Sequence, residues 1–300
     1  MKIHAIQTGT VQTKTNQRCG KGKGKLRQLN MMLDNAWTQP LPIYAWAIEH
    51  PEGVIVVDTG ETSRSVLPGY FPRWHPYFLF GVRTEVLPQQ EIGSQLLARG
   101  IRPTDVRTVI LTHLHTDHAG GLSHFPASRA LVSQTELNIA RGFAGKLRGY
   151  LPHRWPDWFD PETISFHPSE YGSFEQCHTL TKRGDVVIVP TPGHTPGHVS
   201  VIVLDEGLSY FLAGDTSYSQ ELLLRMKVDG VSPDEEMARL TMAKILKYAM
   251  EFPTVYLPTH DPDSRRRLEN KLLLLSPAMQ STVEMEFGFR AHRQLSSVAE

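Results

Sequence analysis

The chain has 300 residues, 40% of them hydrophobic, enough for a substantial core in one large or two small domains. Its 31 basic and 31 acidic side chains cancel, so no global field draws it to nucleic acid or to an anionic membrane. No apolar run approaches the roughly 20 residues that span a bilayer, and the opening MKIHAIQTGTVQTKT has no apolar stretch of signal-peptide type, so a cytoplasmic protein is expected.

Along the chain, the first composition oddity is CGKGKGKLR, Cys19 to Arg27. It has the look of a phosphate-binding loop, but the glycine spacing is wrong and Leu26 stands where Ser or Thr should follow the lysine, so a solvated loop is predicted. Cys19 and Cys177 are the only cysteines and lack CxxC spacing, which predicts free thiols and no cysteine zinc site. Hydrophobic strands are predicted within GVIVVDTG (Gly53 to Gly60) and over VRTVILT (Val106 to Thr112), both rich in β-branched residues. Ser133 with Glu136 predicts a capped helix start. Ser232-Pro233-Asp234-Glu235 predicts another, with Ser232 as N-cap and Met237, Leu240, Ile245 and Tyr248 facing a core. Further strands are predicted for VVIVP (Val186 to Pro190), for SYFLAG (Ser209 to Gly214) and at the start of TVYLPTHD (Thr254 to Asp261). Strands and helices intersperse, which argues for a layered α/β domain. GVIVVDTG and LSYFLAGD are both hydrophobic strands ending in Asp, as a duplicated half-domain would give, although the likeness is too short to establish duplication. One domain is expected over residues 1–275, with 276–300 as an appended extension.

One stretch carries chemistry. LTHLHTDHAGG, Leu111 to Gly121, places His113, His115, Asp117 and His118 within six residues directly after an apolar strand. Imidazole nitrogen and carboxylate oxygen are the donors that hold Zn²⁺ or a similar divalent ion. On an extended stub His113 and His115 point the same way, because side chains repeat every second residue. Asp117 and His118 follow in the turn, and Gly120 and Gly121 permit a tight bend. One loop thus presents two ligand pairs, which suggests two metal ions. Other donors follow the same grammar of strand, turn and ligand: His194 and His198 in the rigid turn TPGHTPGH, Asp215 after SYFLAG, and His260 after TVYLPT.

The pattern His113-x-His115-x-Asp117-His118, then His194, Asp215 and His260 in order, flanked by VVDTG, PTPGHTPGH and LAGD, resembles the metallo-β-lactamase superfamily. The resemblance spans Met1 to Leu268. It implies an αββα sandwich, two mixed sheets facing each other between outer helices with the metals at one edge. Carried over position by position, it implies one metal on His113, His115 and His194, a second on Asp117, His118 and His260, and Asp215 bridging two divalent ions, taken as Zn²⁺. By the same match His198 is a hydrogen-bonded structural histidine. His115 separates the chain from oxygen-reducing diiron members, which carry glutamate there. Tyr218, three residues after Asp215, is similar to the Asp-x-x-Tyr arrangement of the N-acyl-homoserine lactonases; glyoxalase II and the tRNA-processing nucleases show no equivalent tyrosine.

The resemblance therefore implies a hydrolase that opens the lactone ring of N-acyl-homoserine lactones and silences bacterial quorum signals. Hydroxide formed between the two cations would attack the carbonyl carbon, Tyr218 would donate to the developing oxyanion, and Asp117 would pass a proton to the leaving alkoxide. Core packing is the other account of Tyr218. Asn30 to Trp37 and Tyr70 to Phe80 gather Met and aromatic residues that would form an acyl groove, a core or a homodimer contact. The expected partner is a small-molecule lactone, with no nucleic acid and no membrane. Two other classes stay open: a hydrolase of the same fold acting on phosphotriesters or thioesters, and a non-enzymatic metal- or nucleic-acid-binding domain. Neutral charge and a full ligand set weigh against the second.

Overall fold

The computed structural model describes residues 1–276 and 279–280. The expected extension, 276–300, lies outside them apart from Ser276, Met279 and Gln280. The first part of the chain forms β1 (Lys2–Thr13), α1 (Thr15–Arg18), α2 (Lys25–Met32), β2 (Leu41–Glu49), β3 (Val54–Val57), β4 (Val82–Glu85), α3 (Ile92–Leu97), β5 (Val106–Ile110), α4 (Thr116–Ala119), β6 (Arg129–Ser133), α5 (Gln134–Arg141), α6 (Phe143–Leu147) and β7 (Glu162–Ile164). The second part forms β8 (His167–Tyr171), β9 (Phe174–Thr179), β10 (Val186–Pro190), β11 (Val199–Asp205), β12 (Leu208–Gly214), α7 (Gln220–Leu224), α8 (Glu235–Glu251), β13 (Thr254–Pro258) and α9 (Ser264–Glu269).

Both sheets are mixed. One runs β4-β1-β2-β3-β5-β6-β7, antiparallel as far as β3 and parallel from there to β7. The other runs β13-β12-β11-β10-β9-β8, with β13 parallel to β12 and the rest antiparallel.

Side-chain alternation decides how the sheets stack. On β2, Tyr44, Trp46 and Ile48 share a core with Val199, Val201 and Val203 of β11 and Leu212 of β12, while Ala45 and Ala47 pack on the opposite face with Ile92 and Leu96 of α3 and Leu137 of α5. On β10, Val186 and Ile188 face the same inter-sheet core, and Val187 and Val189 face Met242, Ile245 and Leu246 of α8. Each sheet is covered on both faces, so β2 and β10 read as continuous apolar runs. Full burial of each such aliphatic side chain contributes about 1.5–3 kcal/mol. The αββα sandwich expected from the sequence is the result.

Two local expectations differ. CGKGKGKLR is not wholly a solvated loop: α2 begins at Lys25, and Arg27 is buried with its guanidinium donating to the Ser232 carbonyl oxygen. Helix α8 is capped by Asp234, whose carboxylate accepts from Met237 N at 2.9 Å, and not by Ser232. Met237 and Leu240 lie on its exposed side; the buried stripe is Ala238, Thr241, Met242, Ile245 and Tyr248. The Ser133 cap on α5 is present, accepting from Glu136 N at 3.2 Å. Cys19 and Cys177 are unpaired. Among the described residues, no helix is long and apolar enough to cross a membrane.

Candidate metal centre

Strands β3 and β5 run parallel in one sheet, and β10, β12 and β13 share a direction in the other, so donors placed just beyond their C-terminal ends gather at one edge. The edge is stitched across the sheets: Val199 N donates to the Thr112 carbonyl at 2.9 Å and Tyr44 N to the Thr259 carbonyl at 3.1 Å.

All seven candidate ligands converge there. His115 Nδ1 lies 3.0 Å from His113 Nε2 and 3.2 Å from His194 Nε2. His260 Nε2 lies 3.3 Å from Asp117 Oδ2, and His118 Nε2 lies 3.9 Å from Asp117 Oδ1. Asp215 stands between the sets, its Oδ1 3.4 Å from His118 and its Oδ2 3.3 Å from His260 and 3.6 Å from His194. Asp117 and His118 come from a full helical turn, α4, and not from an irregular bend. Three groups of these donors, His113/His115/His194, His113/His118/Asp215 and Asp117/His118/His260, are each close enough to hold one ion.

Four of the five rings are aimed by a partner on the outer nitrogen. His118 Nδ1 donates to Asp58 Oδ2 at 2.8 Å, His194 Nδ1 to Asp229 Oδ2 at 3.1 Å, and His260 Nδ1 to the Pro42 carbonyl at 2.9 Å. His113 Nδ1 donates to Thr112 Oγ1 at 3.1 Å, and that hydroxyl donates on to Asp58 at 2.8 Å. These bonds leave the inner nitrogens with lone pairs turned to the centre. Asp229 is itself held by Ser232 N at 2.6 Å and Ser232 Oγ at 2.7 Å, which is why Ser232 does not cap α8. Glu136 ties two loops together: it accepts from Leu114 N at 3.0 Å, Tyr150 Oη at 2.8 Å and Thr195 Oγ1 at 2.7 Å. Gly197 packs against the backbone of Glu136, leaving no room for a Cβ.

His198 stands apart from this set. Asp215 N donates to its Nε2 at 3.0 Å, so the ring proton sits on Nδ1 and goes to Thr191 Oγ1 at 2.9 Å. Burial holds its pKa down at about 3. Gly214, at φ +56°, lets the chain turn beside it; a Cβ there would stand 2.6 Å from His198 Nε2.

The electrostatics suit cations. Burial, reinforced by neighbouring imidazoles, pushes His113 well down and His115 to about 3, so both present neutral nitrogens. Burial also opposes charge on His118 and His260, but Asp215 and the other carboxylates outweigh it, raising His118 and taking His260 up to about 10. The carboxylates thus call for positive charge at this point. His118 Nε2 and Asp215 Oδ1 are buried and make no hydrogen bond, a costly state that a coordinated cation relieves.

The centre opens into a cavity of about 600 Å³. Met31 and Met32 line it on one side and Phe71, Trp74, Tyr77 and Phe78 on another. Trp37 lies elsewhere, under Lys14 and Arg83. Tyr218 borders both regions: its ring stacks on His260 at 5.3 Å and 23°, and its hydroxyl accepts from Gln17 Nε2 at 2.9 Å. Asp58, Asp229, Glu136 and Gln17 were not singled out from the sequence as parts of the site; only Asp58, ending a strand as Asp215 does, left a visible signal.

The family model of the metallo-beta-lactamase superfamily matches residues 38–272. The chain belongs to this superfamily. An N-acyl homoserine lactonase, AttM, of Rhizobium radiobacter is 26% identical over 269 residues, covering 88% of this chain and 94% of its own. A probable metallo-hydrolase of Mycobacterium tuberculosis is 30% identical over 257 residues, covering 80% of this chain and 81% of its own. Among solved structures, an N-acyl homoserine lactone hydrolase with N-hexanoyl-L-homoserine bound at its catalytic metal center has a TM-score of 0.70 at 22% identity, covering 88% of this chain and 95% of that one. That likeness is one of fold: the superfamily sandwich is shared.

Proposed function

We propose that this superfamily member is a dinuclear metal-dependent hydrolase that opens the lactone ring of N-acyl-homoserine lactones. The observation that carries the reading is Tyr218, stacked on His260 and lining the same cavity as His115, Asp117 and Asp215. His113, His115 and His194 would hold one ion, Asp117, His118 and His260 the other, and Asp215 both; imidazole and carboxylate donors suit zinc. Two such cations supply a water of lowered pKa and a Lewis acid for the carbonyl.

The chain's own groups do the rest. Tyr218 donates to the carbonyl oxygen as it gains charge. Water adds to the carbonyl carbon, the ring C–O bond breaks, and Asp117 carries the proton lost by the water to the ring oxygen, so that the ring-opened N-acyl-homoserine is released. Met31, Met32, Phe71 and Phe78 give the acyl chain an apolar wall. The test is a panel of N-hexanoyl-homoserine lactone, a phosphotriester and a thioester offered to purified protein of measured metal content. Lactone opening with the highest kcat/KM supports the reading; preference for either other ester moves the site to that chemistry.

A further inference from the structure

We infer that Tyr77 is a second substrate-binding hydroxyl beside Tyr218, and that Gln17 sets both phenols to donate, so that the site reads a substrate with carbonyl oxygens on either side of one Cα–N bond, an α-acylamino lactone or ester. This rests on the lactonase reading and assigns the recognition of its acylamino group to Tyr77 and Gln17.

Gln17, on α1, is buried between the two rings. Its Nε2 donates to Tyr218 Oη at 2.9 Å and to Tyr77 Oη at 3.0 Å. An amide nitrogen carries two hydrogens, so each phenol oxygen receives one and its own hydrogen is left to point elsewhere. Reversing the amide would make one oxygen accept both phenol hydrogens and leave two buried N–H groups without an acceptor. That costs more than the single unpartnered oxygen, Gln17 Oε1, of the arrangement seen. Both tyrosines line the cavity that holds Asp117, Asp215 and His260, and the free hydrogens have that cavity to enter.

Two oxygens each about 3 Å from one nitrogen, on hydrogens diverging by about 120°, stand about 5 Å apart. A plain lactone offers this pair one carbonyl oxygen. An α-acylamino lactone offers two, the ring carbonyl for Tyr218 and the amide carbonyl for Tyr77. A site built to hydrogen-bond a group discriminates against the analogue that lacks it, because its own polar atoms are left unpaired. Tyr77 thereby determines specificity, and Gln17 is a positioning residue.

The test compares wild type, Tyr77→Phe, Gln17→Glu and Gln17→Met on N-hexanoyl-homoserine lactone and on γ-butyrolactone, with metal content and melting temperature measured alongside. Tyr77→Phe is expected to lower the ratio of kcat/KM between the two lactones about 10-fold. Gln17→Glu keeps the shape but accepts both phenol hydrogens, so it is expected to damage turnover of the acylamino lactone more than Gln17→Met, which merely frees them. An unchanged ratio in Tyr77→Phe, or Gln17→Met more damaging than Gln17→Glu, overturns the inference while the lactonase reading stands. A wild-type protein that opens neither lactone overturns both.

Discussion

Asp58 accepts the Nδ1 hydrogen of His118 at 2.8 Å while its other oxygen accepts from Thr112 N at 2.8 Å. A residue at the end of β3 thus decides which nitrogen His118 turns to Asp215. Asp58 holds a left-handed backbone, φ 58°, which Asn also adopts readily, so Asp58→Asn tests the carboxylate with the turn preserved. Metal affinity is expected to fall about 10–100-fold, read by competition with a chelator. Wild-type affinity in this variant contradicts the orienting role.

Tyr218→Phe keeps the ring on His260 and removes the hydroxyl. With the metals sharing the stabilisation of the oxyanion, the expected loss in kcat is about 10-fold or more, at unchanged metal content. If Tyr218 only packs, steady-state kinetics on the lactone stay at wild type, since Phe retains nearly all the buried area.

The seven candidate ligands, which the structure brings to one edge, stand out in the sequence because each follows a strand within a short motif. The groups that aim them are not, because they arrive from afar: Asp58 lies 60 residues from His118, Asp229 35 from His194, and Gln17 201 from Tyr218. Ser232 shows how tertiary contacts override local pattern. Its context reads as a helix cap, but Asp229 takes both its backbone N–H and its hydroxyl, and Asp234 caps the helix instead. The layered α/β class is readable from the apolar strands, whereas the order of strands, with β4 beside β1, depends on long-range pairing that no local window contains.

Glu61 offers a test of pH dependence at a carboxyl that is not itself a candidate ligand. It is fully buried, its Oε1 accepts from Thr62 N at 2.9 Å and its Oε2 has no partner. Burial first, then the Asp117 charge, pushes its carboxyl up to about 8 from an ordinary 4.5. A raised folded-state pKa contributes stability that is fully present below the unfolded value and is lost as pH rises through the folded one. Between about pH 5 and pH 9 the wild type is therefore expected to lose about 1–3 kcal/mol more than Glu61→Gln. Urea unfolding at matched metal content measures this; parallel pH profiles for the two proteins contradict it.

Asp215 reaches both donor sets, whereas His260 faces one. Asp215→Ala is expected to lose tight binding of both ions, and His260→Ala chiefly of the one near Asp117, as elemental analysis after gel filtration reports. Equal retention in the two variants contradicts the bridging position.

The most direct measurement is a zinc titration of metal-free protein in which bound metal and ring opening of N-hexanoyl-homoserine lactone are read on the same samples. Activity is expected to rise with occupancy and level off at about two ions per chain. Full activity at one ion, or no lactone opening at two, contradicts a dinuclear lactonase.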